Sequence, residues 1–314
     1  MSRNKEGKDM EFMENTVFKQ EQEKNISYIE DVLKNYLPKN PSFQKTIYDA
    51  MEYSVMAGGK RLRPMMMYQA YKMFGGEDKE LIEPFMAAIE MIHTYSLVHD
   101  DLPAMDNDTY RRGRKTTHVV YGEDMGILAG DALLNFAYET AIKGASAAKA
   151  AKNAINAINA LAILSKKSGI MGMVGGQVVD VELTGKKLDE ERLDFIFKLK
   201  TGALLEASLM VGAALAGADE KYIELMEQAG LNIGMAFQIQ DDILDITSTT
   251  EELGKPVHSD EKNDKTTYVS LYGLEKSHED VEEYSKKALS IMEELPYENQ
   301  FLYTLIEKLI NRRK

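Results

Sequence analysis

The chain has 314 residues, enough to bury one large core or two modest ones. Its 38 Lys plus Arg stand against 51 Asp plus Glu, and the net charge of −13 argues against a general nucleic-acid binder, whose affinity rests on excess positive charge. There is no cysteine, so disulfides, thiolate chemistry and Cys-based metal sites are excluded, and a reducing compartment such as the cytoplasm is compatible.

The first twenty residues, MSRNKEGKDMEFMENTVFKQ, lack the apolar segment of a secretory signal. Residues 1–24 read as a flexible tail and 25–314 as a single domain. Apolar residues recur at helical spacing almost throughout, with no strong strand signal. Ten or more helices are predicted, over about 16–37, 42–57, 62–74, 79–104, 122–144, 146–165, 168–183, 188–216, 219–247, 266–274, 277–294 and 298–313. Gly75-Gly76 and Leu183-Thr184-Gly185 punctuate this pattern. The alanine-rich stretch 144–164 has the propensity of a regular helix. The longest apolar stretch, ALLEASLMVGAALAG (203–217), is interrupted by Glu206 and is short for a bilayer span. The fold class expected is all-α, one bundle around a central cavity.

Two acidic clusters break this apolar pattern: HDDLPAMDND (99–108) and QDDILDIT (240–247). In the second, Ile223, Met226, Gly230, Ile233 and Phe237 are spaced 3, 4, 3 and 4 apart, and two more steps of 4 reach Asp241 and Asp245. At about 100° per residue this stripe drifts by only about 40°, so the carboxylates continue the inward face. Phe85, Ile89, Ile92, Ser96 and Asp100 behave likewise, and Asp106 lies beyond Pro103. Inward carboxylates are costly unless neutralised, and several together repel one another. A hard cation resolves this; Mg²⁺ favours one or two carboxylates per ion with water and substrate phosphate. Basic groups lie close in sequence: Lys60, Arg61 and Arg63 in GGKRLRP, and Arg111 and Arg112 in RRGRKTTH. Acid and base together suit a diphosphate held by Mg²⁺ on one side and by cations on another.

DDLPAMD followed by NDTYRRG, with DDILD far downstream, resembles the trans-isoprenyl diphosphate synthases. The segments GGKRLRP, EMIHTYSLVHDDLPAMDNDTYRRG, GDALL, GGQVVD, KTGAL, FQIQDDILD, GK and DKTTY occur in that family's order from about residue 25 onward. Within the family the bacterial farnesyl diphosphate synthases look most similar. The resemblance implies that Asp100, Asp101 and Asp106, with Asp241, Asp242 and Asp245, bind two or three Mg²⁺ (or Mn²⁺) and the allylic diphosphate. It implies allylic contacts for Arg111, Lys200, Thr201, Gln238 and Lys255, with Lys265 near those phosphates. Gly59, Lys60, Arg63, His93 and Arg112 match the isopentenyl diphosphate site. Tyr95 and Ser96, just before the first cluster, match the positions that set product length; His99 reads as structural. One departure is GKPVHSD, where His258-Ser259 replaces the usual second Gly-Lys pair.

The implied reaction is head-to-tail condensation to a C15 product, by a cytoplasmic homodimer with no membrane span. Alternatives are a C20 product, or a non-catalytic partner subunit of a synthase. A terpene cyclase shares the first acidic motif but needs no second diphosphate site, and Lys60, Arg63 and Arg112 speak against it.

Overall fold

The structure, a computed structural model, describes residues 2–247 and 266–310, with side chains from 15 to 309. The described residues are predominantly helical, in keeping with the periodicity. Helices α1 (Ser2–Tyr36), α2 (Lys45–Val55), α3 (Leu62–Met73) and α4 (Lys79–Asp100) come first. A two-stranded hairpin, β1 (Tyr110–Arg111) and β2 (Arg114–Lys115), follows. Then come α5 (Thr117–Tyr121), α6 (Glu123–Ser146), α7 (Ala151–Ser168), α8 (Met173–Glu182) and α9 (Glu190–Ile196). A π-helical turn, Phe197–Gly202, joins α9 to α10 (Ala203–Ala216), and α11 (Glu220–Thr247) follows. The described chain ends with α12 (Tyr268–Tyr272), α13 (Leu274–Glu293) and α14 (Gln300–Ile310).

Helix α4 is the axis of the bundle. Asp78 caps it by accepting from the Glu80 N–H at 3.0 Å. Leu81, Phe85, Ile89 and Ile92 are fully or nearly fully buried along it. It packs on α3, α6 and α1, while α10 lies between α3, α7 and α11. Backbones approach closely where side chains vanish: a Cβ on Gly234 of α11 would sit 2.7 Å from Gly202 Cα. The run Glu190–Ala216 is apolar enough by length and composition to cross a membrane, with a mean hydropathy of 1.4, but 78 % of its apolar window is buried inside the bundle. The interruption at Glu206 is met by Lys167, which also donates to Glu227 at 2.6 Å. That pairing lets one carboxylate enter an apolar core.

Two features depart from the sequence expectation. Helix α1 begins at Ser2 rather than near 16, and Phe18, within the stretch expected as a tail, is buried and stacks on Phe301 at 5.1 Å. The hairpin was invisible to periodicity, because two residues per strand carry no period. Its turn residues, Arg112 (φ 52°) and Gly113 (φ 73°), both have positive φ, the backbone a two-residue hairpin loop requires.

Candidate active site

The first acidic cluster straddles the end of α4. The helix stops at Asp100, ahead of Pro103, whose ring disfavours helical backbone at the residue before it. The chain then folds back so that the Asp106 N–H donates to the Asp100 carbonyl at 2.9 Å. This turn brings Asp106 beside Asp100. Burial raises the Asp100 pKa above the ordinary aspartate range; Lys200 opposes the shift, and Asp106 and Asp180 add to it. The Gln177 amide donates to Asp100 Oδ1. Asp101 points elsewhere: it is 3 % exposed, and Arg111 in β1 grips its Oδ1 through Nε at 2.7 Å and Nη2 at 2.6 Å. Burial raises Asp101 as well, with Arg111 pulling it down.

The second cluster lies at the end of α11. Asp242 and Asp245 are buried and Asp241 is half-buried, so the inward face extends over Asp242 as well as the expected Asp241 and Asp245. Asp242 Oδ2 accepts the Tyr268 N–H at 2.7 Å, which ties the start of α12 to the site.

Lys200 and Thr201 stand on the π-helical turn, the kind of insertion that frequently marks functional sites. Lys200 Nζ donates to Asp180 Oδ2 at 2.6 Å, and Thr201 Oγ1 donates to Gln238 Oε1 at 2.9 Å. Burial works against the Lys200 ammonium, but Asp100 and Asp180 outweigh it and hold its pKa above the usual lysine value. Gly176 of α8 allows this approach, since a Cβ there would meet Lys200 N at 2.2 Å.

Two cavities meet at this turn. The larger, about 460 Å³, is walled by Asp100, Arg63, His93, Tyr95, Ser96, Lys200 and Thr201, with Met173, Val174, Val178 and Val181 opposite. The smaller, about 130 Å³, is lined by Asp242, Gln238, Asp180, Thr266 and again Lys200 and Thr201. The two acidic clusters therefore open onto spaces that share a wall.

The remaining basic residues divide. Arg61, Arg63, Arg111 and Arg112 surround His93, and burial together with these four charges holds its imidazole well below the usual histidine range. Burial also pulls Arg63 down to about 10. Arg63 Nε is buried without a hydrogen-bond partner among the described residues. Arg112 donates to the Gly58 carbonyl, and its guanidinium occupies the space that a Cβ on Gly59 would fill, 2.8 Å away. Arg61 is a structural group: it is fully buried and donates to Glu90 Oε1 at 2.8 Å and to the Val55 carbonyl at 2.8 Å. Lys60 lines a different groove, of about 260 Å³, between Phe18 and Lys19 of α1 and Leu305 and Lys308 of α14. Lys255, Lys265 and His258-Ser259 lie outside the described residues.

Gln177 and Asp180 escaped the sequence reading of the site, although GGQVVD carries both. Their signal is weak, a polar pair three residues apart on a short helix. His99, read as structural, lines the larger cavity.

Among the described residues no three Asp, Glu or His side chains converge into a self-sufficient metal site. The donors present are hard carboxylate oxygens, and the raised pKa of Asp100 marks charge that wants a counter-ion. This suits Mg²⁺, which takes one or two carboxylates and completes its shell with water and phosphate.

The chain is similar to known proteins. The polyprenyl synthetase family model matches residues 44–303. The chain is 47 % identical over 254 residues to a geranylgeranyl diphosphate synthase of Cyanophora paradoxa, covering 79 % of this chain and 81 % of that one. It is 40 % identical over 290 residues to a farnesyl diphosphate synthase of Micrococcus luteus, covering 92 % and 97 %. Its fold matches the apo crystal structure of an FPP/GFPP synthase from Zymomonas mobilis with a TM-score of 0.82 at 30 % identity, over 94 % of this chain and 99 % of the other. An all-α bundle, matched by that family model over residues 44–303, makes this chain a member of the polyprenyl synthetase family of prenyltransferases.

Proposed function

We propose that the chain joins isopentenyl diphosphate head-to-tail to dimethylallyl and then geranyl diphosphate, making farnesyl diphosphate and releasing diphosphate. The observation that carries this reading is the wall shared at Lys200 and Thr201. It joins a polar space beside Asp242 of the second acidic cluster to a larger cavity walled by Asp100 of the first and by Tyr95.

Asp100, Asp106, Asp241 and Asp245 would hold Mg²⁺, which when bound neutralises charge on the departing diphosphate; Asp101, expected to join them, is instead taken up by Arg111. Lys200 offers a fixed ammonium to the same phosphates, and Arg111, paired with Asp101, adds a second cation at the first cluster. Stabilising charge that develops on a leaving group is usually the largest catalytic contribution. As the allylic C–O bond breaks, Met173, Val174 and Val178 keep water from the carbocation. Isopentenyl diphosphate, held by Arg63, Arg112 and a neutral His93, attacks through its double bond. A proton then leaves, with the released diphosphate as acceptor. Tyr95, 6 % exposed, stands at the cavity wall and sets the limit at C15. The absence of cysteine suits a cytoplasmic setting, and a homodimer accords with the commonest form of soluble oligomer.

A C20 product is the second reading, favoured by the 47 % identical relative that carries that name. The deciding experiment incubates the isolated chain with isopentenyl and dimethylallyl diphosphates and Mg²⁺ and sizes the prenyl product. C15 supports the proposal and C20 replaces it. No turnover by the isolated chain favours a non-catalytic subunit.

A further inference from the structure

Tyr95 and His99 lie one helical turn apart on α4, the spacing at which side chains meet. Their rings touch edge to face, with centroids 5.8 Å apart and planes at 82°. Both line the larger cavity. His99 is anchored from the other side by α6. Its Nε2 lies 3.0 Å from the Ile127 carbonyl; a carbonyl only accepts, so Nε2 carries the proton and donates. Asp131 Oδ1 stands 3.9 Å from the same nitrogen. The imidazole fits there because residue 130 has no side chain. A Cβ on Gly130 would lie 2.0 Å from Nε2 and 2.3 Å from Cδ2, so a side chain there would push the imidazole out of its seat.

From this geometry we infer that His99, seated in the notch at Gly130, is a positioning residue for product length: it fixes the Tyr95 ring across the cavity and so helps to set where chain growth stops. The inference rests on Tyr95 as the end wall, as proposed above. An edge-on aromatic contact biases a ring's orientation by about fivefold, so loss of His99 frees Tyr95 to swing aside and lets a longer chain enter.

The test compares product chain lengths, at matched conversion, for wild type, His99→Ala, Gly130→Ala, Tyr95→Ala and the double variants His99→Ala/Gly130→Ala and His99→Ala/Tyr95→Ala. His99→Ala and Gly130→Ala should each raise the ratio of C20 to C15 product by about fivefold. Adding Gly130→Ala to His99→Ala should change nothing further, because the clashing ring is gone; this double variant also serves if Gly130→Ala alone does not fold. Adding His99→Ala to Tyr95→Ala should likewise leave the Tyr95→Ala profile unchanged. If Tyr95→Ala lengthens the product while His99→Ala and the Gly130 variants keep the wild-type profile, this inference is overturned and the role of Tyr95 stands. If Tyr95→Ala does not lengthen the product, both fall.

Discussion

Lys200 Nζ lies 2.6 Å from Asp180 Oδ2, and Lys200 belongs to the wall of both cavities. The ammonium is thus held by a carboxylate of α8 while facing Asp100 of α4. Lys200→Gln should lower kcat by about 10²–10³-fold, the usual cost of losing one preorganised charge stabiliser. Asp180→Asn keeps the ammonium but loosens it, and a smaller loss of about tenfold is expected. Steady-state kinetics at saturating isopentenyl diphosphate measure both; equal losses would place Asp180 in direct contact with the reaction.

Asp100→Asn and Asp241→Asn should each cut turnover by orders of magnitude with the circular-dichroism spectrum retained. For Asp100 the stability sign is opposite to the activity sign. Its folded pKa is raised by burial, so the ionised form at neutral pH costs stability that asparagine removes. The melting temperature of Asp100→Asn without ligands should therefore exceed wild type at pH 7. The gain should fade as pH falls from the raised folded-state pKa toward the ordinary aspartate value of about 3.9, and be absent below it, where the side chain is neutral folded and unfolded. Near-normal turnover in either variant would remove that cluster from the metal site.

Tyr95→Ala should lengthen the product beyond C15. Burial pushes the Tyr95 phenol up to about 12, so it stays neutral throughout the assay range and its effect is one of shape. Chromatography of labelled products checks this, and an unchanged chain length would remove Tyr95 from the role.

His93 provides a pH test of the basic cluster. Its folded pKa lies well below the ordinary value because of burial and four guanidinium groups. The unfolded chain, at about 6.5, binds the proton more readily. This group's penalty is absent above neutrality and grows as pH falls below about 6.5. His93→Gln should consequently show a shallower loss of stability between pH 7 and pH 5 than wild type, read from urea midpoints.

The Arg61–Glu90 pair is buried on both sides, at 0 % and 2 % side-chain exposure. Arg61→Met or Glu90→Met alone leaves an uncompensated charge in the core, at about 3–5 kcal/mol. Arg61→Met with Glu90→Met should cost less than either single change. Denaturant unfolding of the three variants decides; strict additivity would contradict the coupling.

Helix positions were legible because each buried face repeats every three or four residues, as at Phe85, Ile89 and Ile92. The acidic ends were legible for the same reason, as the carboxylates of Asp100, Asp241 and Asp245 interrupt an otherwise apolar stripe. Asp242 was read from the motif alone, and its burial follows from a backbone donor 26 residues away at Tyr268, which no local pattern encodes. Lys60 was grouped with Arg63 by proximity in sequence. Left-handed backbone at Arg61 (φ 49°) separates the start of α3 from the preceding loop, and Lys60 faces the groove beside α14. The π-helical turn left no trace, since a single register shift inside a long apolar run preserves the composition on both sides.

The apolar run Glu190–Ala216 has a consequence for biosynthesis. As it leaves the ribosome, it presents a segment that a membrane-insertion apparatus or a chaperone could seize. Four of its packing partners, α3, α4, α7 and α8, precede it in the chain and have already emerged. Another, α11, starts four residues after the run ends. Vectorial synthesis therefore delivers the most adhesive piece of this molecule into a waiting cleft, and its window of exposure closes within the time needed to translate one more helix.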